Sequence, residues 1–262
     1  MTDPVSEGVT ELSPPPRPRR PRRQKIAVTI AQQIVAEIAR RRYPPGTKLP
    51  GEREMLAQYE VGRGTLRESL RFLEMNGVLT VKPGPGGGPV VAEPDAHDLA
   101  STLGLFLELK GTSFGAILEL RETLEPSIAG LAAAAKDKQA IARIGESVES
   151  MRVNIDDTER FLQANEAFHD RVASASGNPI LALLLGSLDH ITDGTRLGIN
   201  FPLERRQAVL TAHRAIYDAI AAGDVEAAST QMRKHVRQFR RYTEQHYPGA
   251  ADSPLRWSDI AP

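Results

Sequence analysis

The sequence has 262 residues and a mass of 28.6 kDa, enough for one large domain or two smaller ones, and its 40% hydrophobic and 25% charged residues are typical of a soluble globular protein. There is no cysteine, which excludes disulfides and thiolate metal sites. No apolar run approaches the roughly 20 residues that span a bilayer, and residues 1–16 lack the hydrophobic core of a signal peptide. We therefore expect a cytoplasmic protein with no membrane partner.

The formal net charge of zero hides an asymmetry along the chain. Residues 1–90 contain 15 Lys and Arg against 9 Asp and Glu, whereas the remaining residues contain 18 against 24. A basic first part and an acidic second part predict that only the first part contacts a polyanion.

Residues 1–23 are rich in Pro and Arg, a composition that cannot bury a core and predicts a disordered tail. Its arginines either add salt-sensitive contacts to DNA phosphates or only keep the chain soluble.

Three helices follow the tail. Isoleucines recur at every fourth position and predict the first helix before the Pro44-Pro45-Gly46 stop: Ile26, Ile30, Ile34 and Ile38. Residues 52–59 and 63–76 show two further helical patterns, and the segment between them is short enough to be a tight corner. The second pair of helices therefore predicts a helix-turn-helix.

The last of these helices has one apolar side and one basic side. With its three leucines buried, it turns a set of donor side chains outward: Arg63, Thr65, Arg67 and Arg71. Such a face suits the major groove, where guanidinium groups pair with phosphates or with guanine. A solvated helix face in an ordinary helical domain is the alternative interpretation.

A hairpin is predicted directly after this helix. Residues 78–82 and 90–92 read as strands, and the Gly- and Pro-rich residues 83–89 lie between them. A hairpin in this position is a wing, and its glycines let the backbone approach a phosphate closely. The alternative is a loose linker.

These motifs together resemble the winged helix of the GntR family of bacterial transcription regulators. The resemblance covers about residues 24–92 and rests on Pro44-Pro-Gly-Thr-Lys-Leu-Pro-Gly-Glu-Arg-Glu, Val61-Gly-Arg-Gly-Thr-Leu-Arg-Glu and Gly77-Val-Leu-Thr-Val. It implies that five residues contact operator DNA: Arg53, Arg63, Thr65, Arg67 and Gly84. Gly51 and Gly62 stand where the family often has Ser. Gly62 directly precedes the helix predicted for residues 63–76, so this helix lacks a side-chain cap and the corner before it is expected to be less rigid.

Strand signals disappear beyond the linker at residues 93–97. Helical periods cover residues 95–110, 113–135, 138–155, 157–174, 179–192, 202–222 and 225–247, and residues 248–262 read as a loose tail. The predicted fold class is therefore mainly α, with an N-terminal winged helix-turn-helix followed by an all-helical bundle over residues 95–247.

Three histidines in the helical part lie on the inward or half-inward sides of long amphipathic helices. His169 follows Asn165 by four residues, so both project from one face, and His213 and His235 lie on two later helices. In a bundle interior these imidazoles would converge, and imidazole suits Zn²⁺, Ni²⁺ or a similar ion. Taken singly, each histidine is more often a hydrogen-bonded core or surface residue.

The order of these motifs is similar to the FCD ligand-binding domain of the FadR branch of the same family, over about residues 95–245. That resemblance implies a divalent metal held by one Asp and three His beside a cavity for a small carboxylate effector. Asn165 stands at the Asp position, and a neutral amide predicts weaker metal binding or direct effector contacts instead. Arg121 and Glu125, four residues apart, are expected to point at the same cavity from another helix, where Arg121 either anchors an organic acid or forms a salt bridge across the bundle, such as with Glu125. Arg196, just after a helix end, is expected at the mouth of the cavity.

The sequence thus predicts a dimeric transcription regulator, a repressor, that binds an inverted-repeat operator and responds to an organic acid. The first alternative is a metal-dependent enzyme that uses the three histidines, although no catalytic spacing accompanies them. The second is a non-specific DNA-binding protein built on the basic tail.

Overall fold

The computed structural model describes residues 22–84, 86–191 and 198–259. The chain divides into two compact units, of which the first ends at Glu93 and the second begins at Pro94. The first unit is a winged helix-turn-helix and the second is built from helices, so the predicted fold class is confirmed. The tail predicted for residues 1–23 lies outside the described residues, except that Arg22 and Arg23 open the first helix.

The first unit contains three helices and a hairpin. The helices are α1 (Arg22–Arg41), α2 (Glu52–Tyr59) and α3 (Arg63–Met75), and the strands are β1 (Leu79–Lys82) and β2 (Gly88–Val91). The strands are antiparallel, with Leu79 opposite Val91. One apolar core joins all five elements, because each contributes its buried side chains to the same cluster: Ile30, Ile34, Met55, Leu66, Leu70, Leu73, Leu79 and Val91.

The isoleucine repeat of α1 is only partly buried. Ile30 and Ile34 lie in the core, whereas Ile26 is 41% exposed and Ile38 is half-buried. Residues four apart are rotated by about 40° around a helix of 3.6 residues per turn, so a strict four-residue repeat drifts off one face. The two middle isoleucines therefore face the core and the outer ones flank it.

The second unit contains seven long helices and a short terminal one within the described residues. Their bounds are α4 (Ala96–Leu109), α5 (Phe114–Ala135), α6 (Lys138–Val153), α7 (Thr158–Ala175), α8 (Pro179–Ile191), α9 (Leu203–Ala222), α10 (Val225–His246) and α11 (Pro248–Asp252). Side-chain caps explain several starts, since the side chains of Asp95, Ser113, Asp137, Asp157 and Asp224 each accept a backbone N–H of the following turn. No helix among the described residues is long and apolar enough to cross a membrane.

The centre of this bundle is formed by α5, α7, α9 and α10. The most extensive packing is between α5 and α10, and α5 also contacts α7 and α9. Their inward faces share one apolar cluster with α6 and α8, in which Phe168, Ile128 and Ile216 are fully buried. Polar side chains on these four helices are therefore brought into a dry interior.

The end of the chain differs from the predicted loose tail. Residues 248–252 form α11, Pro254 bridges Ser113, and the amide of Leu255 donates to the carbonyl of Thr112 over 3.0 Å. Ala250 and Leu255 are buried in a cluster with Phe114. This segment is short and rich in Pro, Ala and Asp, so its helical period is weak. Contacts with α10, with the start of α5 and with α4 order it.

Candidate functional site

The outward face of α3 carries three of the residues predicted to contact DNA. Its inward side is buried, as the helical period predicts: Leu66, Leu70 and Leu73. The side chains of Arg63 and Arg67 are 80% and 70% exposed. Thr65 is half-buried, and its backbone carbonyl accepts the hydroxyl of Ser69 over 2.8 Å. The two arginines are therefore the exposed cationic groups in the first two turns of this helix.

Glu52 of α2 lies beside both arginines. Its carboxylate oxygens are 3.9 Å from Nε of Arg63 and 3.5 Å from Nη2 of Arg67. Exposed ion pairs contribute only about 0–1 kcal/mol. Glu52 therefore holds the two arginines only weakly, and little free energy is needed to separate them from it.

The remaining predicted DNA residues lie on α2 and the wing. Arg53 is exposed on α2, and Gly84 is exposed in the wing with a φ of +90°, a conformation that side chains disfavour. Nζ of Lys48 donates to the carbonyl of Gly86, which ties the wing to the segment before α2. Lys48 was not singled out by its sequence, because only the pairing of its neighbours with β2 brings it to the wing.

The three histidines of the second unit form one buried cluster. His169 lies on α7, His213 on α9 and His235 on α10, and their ring centroids are 4.5 to 5.4 Å apart. One ligand nitrogen from each lies within 4.8 Å of the others. The shortest separation, between Nε2 of His213 and Nε2 of His235, is 3.1 Å.

Contacts on the outer side orient two of these rings. Nδ1 of His169 lies 2.7 Å from Oε2 of Glu125, and Nδ1 of His213 lies 3.2 Å from the sulfur of Met151. The ring of His213 also stacks on Phe168, with centroids 3.9 Å apart. Because the Nδ1 atoms are engaged outward, the Nε2 atoms are left for the centre of the cluster, as in metal sites where a carboxylate orients a ligating histidine.

The interior keeps two of the imidazoles neutral. Burial lowers the pKa of His235 to about 3, and the nearby His169 adds to the effect. Burial also lowers the pKa of His213 well below its ordinary value, and His235 adds to it. Neutral imidazole is the form that binds a metal ion, so the burial favours ligand lone pairs over imidazolium.

Arg121 and Glu125, predicted to contact an effector, lie in a buried ion-pair network. Nε of Arg121 is 2.6 Å from Oε1 of Glu125, and Nη2 is 3.0 Å from Oδ1 of Asp189 on α8. Burial alone would raise the pKa of Glu125, but Arg121 and His169 outweigh it and hold the pKa well below its usual range. The observed contacts of Glu125 are thus to Arg121 and to a histidine of the cluster.

Sequence reasoning missed Asp189. Burial raises its pKa to about 6 against the opposing charge of Arg121. The sequence did contain an indication of its role. Asp189 is a single carboxylate directly after the apolar stretch of residues 180–188, and a charge buried there without a partner would destabilise the fold.

Asn165 and Arg196 are the two remaining residues that the sequence predicted for this site. Asn165 lies on α7 one turn before His169 and is half-buried, unlike the three histidines. Arg196 lies outside the described residues.

The geometry of the histidine cluster fits a divalent ion. Two nitrogen ligands about 2.0–2.1 Å from one ion lie roughly 2.8–3.0 Å apart at an octahedral angle and roughly 3.3–3.4 Å apart at a tetrahedral angle. The pair formed by His213 and His235 is 3.1 Å apart, between these values. Three imidazole nitrogens with an oriented outer carboxylate would leave open positions for water or for oxygens of a bound molecule.

A winged helix with exposed arginines, followed by a helical unit with a buried polar centre, defines a DNA-binding transcription regulator with a separate sensing domain. The family model for bacterial regulatory proteins of the gntR family matches residues 26–87, and that for the FCD domain matches residues 116–238. The chain belongs to the GntR family of bacterial transcription regulators and carries an FCD domain.

Similar proteins are transcription regulators as well. An uncharacterized HTH-type transcriptional regulator of Mycobacterium tuberculosis is 30% identical, over 90% of this chain and 94% of its own length. The HTH-type transcriptional repressor NanR of Cronobacter sakazakii is 28% identical, over 83% and 85%. A solved GntR structure from Streptococcus agalactiae has a TM-score of 0.65 at 26% identity and covers 82% of this chain and 99% of that one. The chain is therefore a regulator and not an enzyme.

Proposed function

We propose that this regulator is a cytoplasmic repressor that binds an inverted-repeat operator as a homodimer and responds to a small organic acid. Residues 24–92 are the DNA-binding domain in this proposal, and residues 95–247 bind the effector and dimerise. A repressor role is supported by the similarity to NanR, which carries that description. A sensing role is supported chiefly by the buried histidine cluster, because a bundle that needed only to fold would not place three imidazoles in its core.

The operator contacts divide by residue type. Arg63 and Arg67 read the major groove or clamp phosphates, Thr65 and Arg53 position the helix pair on the backbone, and Gly84 brings the wing close to DNA. The exposure of both arginines and the left-handed conformation of Gly84 support these roles.

The effector site is centred on His169, His213 and His235, which would hold a Zn²⁺ or Ni²⁺ ion. Asn165 supplies at most a weak, neutral ligand from the preceding turn of α7. A bound ion would supply a positive charge that attracts an acid group, and Glu125, held by Arg121, orients His169 toward it. Arg196 is proposed to lie at the mouth of this site.

A second copy of the chain is proposed to cover an apolar face of α4 and α8. These two helices pack against each other and expose six large apolar side chains: Leu105, Phe106, Leu109, Ile180, Leu183 and Leu184. Exposed apolar side chains that group together mark interfaces, and the packing of α4 against α8 supports such a grouping here. A two-fold dimer would also present two winged helices to two half-sites, as an inverted repeat requires.

Effector binding changes operator affinity only if it favours one arrangement of the winged domains over another. The test measures both activities of the full chain, with the DNA upstream of its own gene as the operator probe. Arg63→Ala and Arg67→Ala should each weaken operator binding while leaving Zn²⁺ binding intact, and His213→Ala should do the reverse. Normal operator and Zn²⁺ binding by all three variants would overturn the assignment.

Hydrolysis assays with Zn²⁺-loaded protein address the alternative that the histidines are catalytic. Competition by unrelated DNA at rising salt addresses non-specific binding, since a specific repressor keeps its preference for the operator.

A further inference from the structure

Arg205, near the start of α9, has a partly buried guanidinium that forms no ion pair with a carboxylate in the part of the chain that the structure describes. Its Nε and Nη2 atoms are buried and have no hydrogen-bond partner among the described residues. The guanidinium instead lies 4.6 Å from the ring centroid of Tyr242 and 5.9 Å from that of Phe239, both on α10. Stacking on aromatic rings satisfies the face of the group but none of its N–H donors.

The adjacent Arg206, in contrast, has hydrogen-bond acceptors for its guanidinium. Its Nε donates to the carbonyl of Ile155 over 2.7 Å, and its Nη1 donates to the carbonyl of Phe201 over 2.9 Å and to the hydroxyl of Thr158. Arg206 therefore ties α9 to the segments around it. Arg205 makes no comparable tie, so bundle assembly does not account for its burial.

An arginine in this state is costly to the fold. Arginine stays charged in proteins, so it cannot escape burial by losing its proton, and burial lowers the pKa of Arg205. A buried donor without an acceptor destabilises a fold, because it loses its hydrogen bonds to water and gains none in return. Such a group is expected where its partner arrives with a ligand.

Arg205 lies on the same pair of helices as the histidine cluster. His213 follows it on α9 by eight residues, a rise of about 12 Å, and Tyr242 follows His235 on α10 by seven. The Arg205 charge is close enough to lower the pKa of both His213 and His235. The helix pair α9 and α10 therefore carries two of the clustered imidazoles, and the Arg205 guanidinium lies nearer the start of α9.

We infer that Arg205 binds a second acidic group of the effector, so that the sensed molecule is a two-headed acid with one group at the histidines and another at this guanidinium. The inference rests on the proposed effector site and adds the class of acid that the site selects. A guanidinium fork pairs with two carboxylate or phosphate oxygens at once, and the stacked rings of Tyr242 and Phe239 keep its plane oriented.

The test compares acids that differ only in the second charge. The Zn²⁺-loaded full chain is titrated with succinate, glutarate and adipate, and with butyrate, valerate and hexanoate, at equal ionic strength. We expect at least one dicarboxylate to bind about tenfold or more tightly than the monocarboxylate of equal length, the factor for one charge-assisted pair. Arg205→Gln should abolish that preference, and Arg205→Lys should keep part of it.

Arg214→Gln is the matched control. Arg214 lies on the same helix, is exposed, and also stacks on a tyrosine, 5.9 Å from the Tyr217 ring centroid. This variant should keep the dicarboxylate preference of the unaltered chain. Circular dichroism and the melting temperature without acid verify that each variant folds.

The possible results distinguish a failure of the Arg205 role from a failure of the effector site at the histidines. If acids bind but the unaltered chain shows no preference for dicarboxylates, or Arg205→Gln retains the preference, the role of Arg205 is overturned and the histidine effector site stands. If no acid of either class binds to the Zn²⁺-loaded chain, the organic-acid effector site fails together with it.

Discussion

Nε2 of His213 lies 3.1 Å from Nε2 of His235, inside a bundle where both imidazoles are neutral. Two such nitrogens either share one proton as an N–H···N hydrogen bond or direct two lone pairs at one ion. The third imidazole, His169, has its Nδ1 engaged by Glu125, so its remaining nitrogen adds a further lone pair. The arrangement therefore prepares the site for a cation and makes its chemistry testable through metal affinity.

Asn165→Asp should strengthen metal binding. The change adds an anionic oxygen one turn before His169, and affinity rises with ligand charge, so we expect about tenfold tighter Zn²⁺ binding in competition with a chelating indicator. Gln163→Glu makes the same charge change on the exposed side of α7 and serves as the control. Equal affinities for both variants would mean that position 165 is not a ligand position.

Glu125→Gln should weaken both the fold and the metal site. It removes one carboxylate partner of the buried Arg121 and the anionic partner of His169. We expect this loss to lower the free energy of unfolding by about 3 kcal/mol and metal affinity about tenfold or more. Urea denaturation and Zn²⁺ titration measure these changes. Glu149→Gln, which removes an exposed pair with Arg152, should change neither quantity. Identical behaviour of the two variants would refute the role given to Glu125.

Glu52→Gln should make DNA binding less selective. Losing a carboxylate beside Arg63 and Arg67 removes repulsion from phosphates and also removes the contact that holds the two guanidinium groups together. We expect affinity for unrelated DNA to rise several-fold at about 0.15 M salt, while the operator preference falls, as measured by fluorescence anisotropy. Glu93→Gln is the charge-matched control. A lower affinity for both the operator and the unrelated DNA would refute the role given to Glu52, which is to repel phosphates and hold the two guanidinium groups.

Leu109→Glu combined with Phe106→Glu should separate the proposed dimer. Two charges on the exposed face of α4 would be buried without partners in the interface, so the chain should elute as a monomer in size-exclusion chromatography. Val153→Glu, at a 65% exposed position on α6, should leave the elution volume unchanged. A dimeric double variant would assign the interface to another surface.

Acid should destabilise the metal-free helical domain through His235. Its pKa is about 3 in the folded chain and 6.5 when unperturbed, so between these values the unfolded chain binds a proton that the folded chain does not. Stability is therefore complete above pH 6.5 and falls by about 1.4 kcal/mol per pH unit below it. Urea denaturation with a chelator at pH 7 and pH 5 should give a smaller pH dependence for His235→Gln. An unchanged pH dependence would count against the buried neutral imidazole.

Helical period alone assigned faces correctly where one element packs on one core. It separated Leu66 and Leu70 from Arg63 and Arg67 on α3, because residues three and four apart share a side of a helix. For the same reason it directed His169, His213 and His235 inward, where the structure brings them together. On α1 the helical period predicted too many buried residues, because a strict four-residue repeat rotates around the helix and leaves Ile26 exposed.

The sequence by itself determined the two-part architecture, the basic recognition face and the types of side chain available to a site, because these depend on composition and on periods within one element. Only the tertiary structure decided which distant groups meet: Asp189 with Arg121, Met151 with His213, and Arg205 with Tyr242 but with no carboxylate among the described residues. Those pairings depend on how helices far apart in the chain pack against one another. A periodic pattern states which side of a helix is buried, and it contains no information about which residue lies opposite.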